Sequence, residues 1–147
     1  MSTSAARSAD LKVGEWMHAG IVSCPPDASF SEFARVMSEQ RVHAVAVAEI
    51  GHGRPWGNWR FVSDADLVAA VAAGREPTAR EAASSAATVS ADAKLADAAR
   101  VMAEQHVSHL VVLHESGGYP IGIISSLDIA AACSSAAGSD GVDEPRG

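Results

Sequence analysis

One run of residues, Gly122-Ile123-Ile124-Ser125-Ser126-Leu127-Asp128, combines a glycine, a hydroxyl and a carboxylate at a spacing that could do chemistry. The isoleucines read as the end of a strand, with Gly122 at that end, and the following residues as the start of a helix. Ser is a favoured N-cap and Asp is favourable in a first helical turn. Helix N-terminal N–H groups and the helix dipole attract a phosphate. A Ser hydroxyl can bond a phosphate or ribose oxygen, and an Asp one turn in can accept from both ribose hydroxyls. A second run, Arg60-Phe61-Val62-Ser63-Asp64-Ala65-Asp66, keeps the hydroxyl and the carboxylate but has Arg60 in place of the glycine. That side chain could crowd a ligand or itself contact a phosphate. The plain alternative for Ser63, Asp66, Ser125 and Asp128 is helix capping alone.

The elements that position these runs are duplicated. ARVMSEQRV (34–42) matches ARVMAEQHV (99–107) at seven of nine positions. Upstream, Asp27, Phe30 and Ala34 stand over Asp92, Leu95 and Ala99. Downstream, VHAVAVAE stands over VSHLVVLH, and FVSDADLVAAV (61–71) over IISSLDIAAAC (123–133). Internal repeats of this kind mark a repeated supersecondary unit. Each copy reads as a short strand ending near Ser23 or Val89, then a helix with apolar residues three and four apart (Phe30, Phe33, Ala34, Met37; Leu95, Ala98, Ala99, Met102). A β-branched segment follows, Val42 to Val47 or Val107 to Leu113, which reads as a buried strand. A third strand (60–62 or 121–124) leads into an Ala-rich helix. The pattern predicts a mixed α/β (α+β) fold of tandem β-α-β-β-α repeats packed about a pseudo-two-fold axis. The divisions are a tail over 1–10, repeat 1 over 11–76, repeat 2 over 77–133 and a second tail over 134–147. Thr78 to Ala83 reads as partly helical, and Trp16 and Met17 as packing on the first repeat or equally as a dimer contact.

These strands and the G-h-h-[ST]-x-x-D run at each strand-to-helix junction resemble the CBS-domain (Bateman module) family, over roughly residues 10–133. The resemblance implies a regulatory module rather than an enzyme, with an adenosine-containing ligand in the cleft between repeats: AMP, ADP, ATP, S-adenosylmethionine or cyclic di-AMP. It also implies which residues bind. Asp128 and Asp66 would hold ribose, and Ser125 and Ser63 would contact phosphate or ribose beside Gly122. Adenine would lie against Thr88 and Val89 or Ser23 and Cys24. Val107, Ser108, His109 and Leu110, or Val42, His43, Ala44 and Val45, would close the pocket. Arg41, His43, His106 and His109 are the basic candidates for phosphate. Because the second copy keeps the whole motif, its site is the preferred one. By the same analogy the chain is expected to form a homodimer and to pass its output to an effector protein. Ala46 and Val111 stand where the family commonly has Pro.

Composition limits the alternatives. The 147 residues carry a formal net charge of -7, which repels nucleic-acid backbones, and no Lys/Arg stripe compensates. Two cysteines, Cys24 and Cys133, make neither a disulfide framework nor a metal ribbon. Cys24 reads as a buried inert thiol. His106 and His109 straddle a helix end and a strand start with no further ligand set, so no metal is expected. Trp56 and Trp59 in the loop 51–59 read as pinning that loop. With no signal peptide and no apolar run of membrane length, no membrane association is expected and the cytoplasm is the expected location. No nucleophile elbow or phosphate loop is present to suggest an enzyme.

Overall fold

The computed structural model describes residues 7–47, 60–116 and 118–140. The chain divides into two compact units, one of residues 20–86 and one of residues 1–19 with 87–147. Each is mixed α/β.

The first-repeat unit contains β2 (Ser23–Cys24), α2 (Phe30–Gln40), β3 (Ala44–Val47), β4 (Arg60–Ser63), α3 (Asp64–Ala73), α4 (Ala79–Ala82) and β5 (Ser84–Ser85). Its sheet has the order β2-β3-β4-β5. β2 and β3 are parallel, and the remaining pairs are antiparallel. The second-repeat unit contains α1 (Val13–Trp16), β1 (His18–Ala19), β6 (Thr88–Ser90), α5 (Leu95–Gln105), β7 (His109–Leu113), β8 (Pro120–Ser125) and α6 (Ser126–Asp140). Its sheet has the order β1-β8-β7-β6. β6 and β7 are parallel, as a helical crossover requires, and the other pairs are antiparallel.

The helices form where their sequences cap them. Ser29 accepts from the Glu32 N–H at the start of α2. α2 and α5 both end on a left-handed residue, Arg41 and His106, each with φ 55°. Their apolar stripes bury Phe33 and Met37, or Leu95, Ala98 and Met102. These pack with the sheet residues Val45, Val47 and Val62 in one unit and Leu110, Val112 and Ile124 in the other.

The units are not drawn where the repeats suggest. Each contains a helix-strand arm taken from the chain that opens the other repeat. In the second-repeat unit, Val13 and Gly14 donate backbone N–H bonds to the Ala93 and Ala91 carbonyls at 2.9 and 2.8 Å. In the first-repeat unit, Ala79 and Arg80 do the same to Ala28 and Pro26 at 2.9 and 2.8 Å. Residues 11–19 therefore pack in the unit of the second repeat and 77–86 in that of the first, so the compact units exchange these arms between the repeats. Trp16 and Met17 pack on the second repeat's cluster, not the first. Each arm also supplies a fourth strand that the three-strand reading of a repeat lacked. The stretch from Thr78 is helical in part, as expected: Thr78 caps α4, accepting from the Glu81 N–H at 3.3 Å and donating its own N–H to Glu81 Oε1 at 2.9 Å. That bond and the Thr78 hydroxyl hold the Glu81 carboxyl below its usual range.

The two tails also differ from expectation. Ser8 is buried, with its hydroxyl 3.3 Å from Cys133 Sγ, and Asp10 pairs with Lys94 at 3.2 Å. α6 runs on to Asp140, through residues read as tail. Residues 1–6 and 141–147, and the loop with Trp56 and Trp59, lie outside the described residues.

Candidate functional site

In each unit the strand-to-helix run is a closed capping box. The Ser125 N–H donates to Asp128 Oδ2 at 2.8 Å, and its hydroxyl donates to the same oxygen at 3.1 Å. The Asp128 N–H donates back to Ser125 Oγ at 3.4 Å. Ser63 and Asp66 repeat the arrangement at 2.9, 3.0 and 3.1 Å. The capping role is thus real in both copies. It also limits what the serines can do. A hydroxyl has one proton, and in each copy it is donated to the aspartate. Donating it to a phosphate would give up that bond, while Oγ could still accept the helix N–H.

The first N–H of each helix is similarly committed. The N–H of Ser126 is taken by the Ser108 carbonyl at 2.8 Å, and that of Asp64 by the His43 carbonyl at 2.8 Å. What each run still offers is acceptor capacity: the outer carboxylate oxygen Oδ1 and a lone pair on the serine. A group that donates hydroxyl protons suits this set better than a phosphate.

The sheet gathers the sequence-derived residues at one end of each unit. In the second-repeat unit, His109 pairs with Ser125 and Thr88 with Val111. Exposed Thr88 and Ser108 and half-buried Val107 and His109 therefore lie near the mouth of the Asp128 run. In the first-repeat unit, Ala44 pairs with Ser63 and Ser23 with Ala46, which groups exposed Ser23 with half-buried Val42 and His43. The side chains of Val89 and Leu110, and of Cys24 and Val45, go into the hydrophobic clusters instead. Ala44 is buried as well. Strand alternation turns Val45 and Leu110 into these clusters, while Ala44, next to Val45 in β3, faces the other side of the sheet and is in neither cluster. Burial, with Glu32 nearby, pushes the Cys24 thiol up, which keeps it protonated and unreactive.

Two residues of the runs do something different from expectation. Gly122 is not at a strand end but third in β8, paired with Ala19 of β1. A Cβ there would meet the His18 carbonyl oxygen at 2.5 Å and Met17 Sδ at 2.8 Å. The glycine is needed for the close passage of the arm. Gly122→Ala should therefore destabilise the protein by about 1–3 kcal/mol, the usual cost of overpacking, measured by chemical denaturation. A wild-type midpoint would refute this role. Arg60, its counterpart, pairs with Ser85, and its guanidinium donates to the Ala83 carbonyl. It anchors its own arm and is not poised for a phosphate. Among the other basic candidates, His43 Nδ1 pairs with Asp64 Oδ2 at 3.0 Å. Arg41 and His106 occupy the left-handed helix ends, and His109 opens β7.

One neighbour of each motif carboxylate was missed in the sequence. His18 Nε2 lies 3.0 Å from Asp128 Oδ1. Ser84 Oγ donates to Asp66 Oδ2 at 3.4 Å. Both come from the arms, at equivalent positions in β1 and β5, and nothing in a His and a Ser signals that equivalence.

The fold and the paired strand-to-helix runs define a tandem β-α-β-β-α architecture, and the comparisons with known proteins agree. The CBS domain profile matches residues 13–57 and 79–135, and the chain belongs to the CBS-domain family. Comparison with curated proteins gave no match. Among solved structures, the hexameric CBS-CP12 protein from bloom-forming cyanobacteria is similar at TM-score 0.71 and 24% identity, covering 94% of this chain and 73% of that one. The CBS domain pair of protein MJ0100, in complex with 5′-methylthioadenosine and S-adenosyl-L-methionine, is similar at TM-score 0.71 and 17% identity, covering 86% and 98%. The CBS domain protein PAE2072 from Pyrobaculum aerophilum, complexed with AMP, is similar at TM-score 0.69 and 23% identity, covering 85% and 99%. Among the described residues no helix is long and apolar enough to cross a membrane.

Proposed function

We propose that this chain is a regulatory module that binds an adenosine-containing ligand at the strand-to-helix run of its second repeat, with Asp128 holding the ribose. The observation that carries this reading is the acceptor-only character of the capped Ser125–Asp128 pair. A ribose 2′,3′-diol brings two donors, which such a pair can accept. The similar structures support it from another side. 5′-Methylthioadenosine, S-adenosylmethionine and AMP differ in charge and in their 5′ groups, and what they share is adenosine. AMP, ADP and ATP remain the first candidates, with the 5′ group reaching outward past Ser108 and His109. Output passes to a partner protein through a change of conformation or through homodimerisation. Exposed Val68 and Val71 on α3 are the apolar surface suited to such a contact.

A second reading, an interaction module with no ligand, is favoured by one feature: Asp128 Oδ1 already has a partner within the protein. Thermal and chemical unfolding with adenosine, AMP, ATP, S-adenosylmethionine and cyclic di-AMP separates the two. A ligand at a hundred times its dissociation constant should add about 2.7 kcal/mol of stability. The gain should vanish in Asp128→Ala, judged against that variant's own baseline, and survive in Asp66→Ala. It should also weaken with 2′-deoxyadenosine. If no compound stabilises the wild type, the interaction-only reading stands.

A further inference from the structure

The two motif carboxylates are not in the same state. In both, Oδ2 is the oxygen bound into the capping box. Ser84 adds a third donor to that same oxygen of Asp66. His18 instead reaches the outer oxygen of Asp128, the one a ribose would need, at 3.0 Å. Its backbone is fixed there because β1 pairs with β8, His18 opposite Ile123. Its side chain is 81% exposed while that of Asp128 is only 11% exposed. An exposed imidazole can rotate into water without leaving a cavity, whereas the carboxylate is held in place by its cap.

We infer that His18 is a built-in competitor for the Asp128 carboxylate, a residue of the N-terminal arm that lowers the affinity of the second-repeat site and is displaced when a ribose hydroxyl takes Oδ1. This rests on the adenosine reading above. The imidazole donates one hydrogen bond to Oδ1, and the incoming hydroxyl replaces it with another. Binding therefore gains the difference between two bonds and not the whole of one. The contact also ties the arm to the start of α6. Ligand and arm then compete for one oxygen, and by linkage whatever pulls His18 away tightens the ligand by the same factor. Among the described residues the first-repeat site shows no such competitor, because Ser84 bonds the oxygen the cap already uses.

The test is calorimetric titration of adenosine and of AMP in an Asp66→Ala background, which isolates the second-repeat site. His18→Ala should bind about two- to five-fold tighter than its parent, the scale of an exposed pair. His18→Gln, which retains a donor, should stay close to the parent. In a nitrogen-15 spectrum, AMP and the Asp128→Asn change should each move the His18 imidazole resonance. If the parent binds and His18→Ala binds equally or more weakly, the competitor role is overturned and the adenosine reading stands. If only His18→Ala binds, both are supported. If neither binds adenosine or AMP, the adenosine reading falls and the competitor role with it.

Discussion

Val13→Asp should unfold the second-repeat unit, at a cost of more than about 4 kcal/mol, while the first-repeat unit keeps its protected strands. The position lies at the start of the first repeat in the chain, so a reading by sequence order places the damage in the wrong half. Val13 is fully buried in the cluster of Leu95, Ala98, Leu110, Val112 and Ile124. A carboxylate there has no partner and must lose its water or drag α1 out. If α1 leaves, the backbone bonds to Ala93 and Ala91 and the pairing of β1 with β8 leave with it. Val13→Ala, which removes only apolar contact, should cost about 2 kcal/mol. Hydrogen exchange checks the location. Amides of Leu110–Val112 and Ile123–Ile124 should lose protection first, and those of Val45–Val47 should not. Loss confined to the first-repeat strands would refute the assignment of the arm.

That arm also shows where the sequence stops being legible. The repeated helices, the strand after each and the strand-to-helix runs could be read because both copies spell them with the same residue types. Val42 to Val47 and Val107 to Leu113 are equally rich in β-branched residues, and the serine and aspartate of each run recur at identical spacing. The arms are related by structure but not by composition. Val13, Trp16 and Met17 in one correspond to Ala79, Ala82 and Ala83 in the other. The capping glutamates, Glu15 and Glu81, are the one shared signal, each accepting from the backbone N–H three residues earlier, at 3.3 and 2.9 Å. An isolated four-residue helix is too weak a pattern to align, since its stability comes from docking and not from propensity. The missed strands, the exchange of arms between the units and the missed contact of His18 with Asp128 all follow from that single gap. The same gap explains Gly122, which looks like a ligand-binding glycine until the strand that crosses it is known.

The unlike arms have a counterpart in the helices they face, and this leads to the other large expected effect. Phe33 on α2 corresponds to Ala98 on α5. The small arm, Ala79 and Ala83, is in the cluster with the large Phe33, and the large arm, Val13, is in the cluster with the small Ala98. Each unit fills the same kind of space with its volume divided oppositely between arm and helix. Phe33→Ala should therefore destabilise the first-repeat unit by about 3–5 kcal/mol, since Phe33 is fully buried and its removal leaves a cavity that three alanines cannot fill. Ala79→Val in the wild type should cost about 1–3 kcal/mol by overpacking, because Ala79 has no exposed surface. The combination, Phe33→Ala with Ala79→Val, recreates the Val13/Ala98 division of the other unit. It should be more stable than the sum of the two single changes predicts, with a coupling of about 1 kcal/mol or more for residues that share a cavity. Denaturant titrations of the four proteins give the cycle. Strict additivity would mean that the arm and the helix do not share this space, and the complementary division of volume would lose its physical basis.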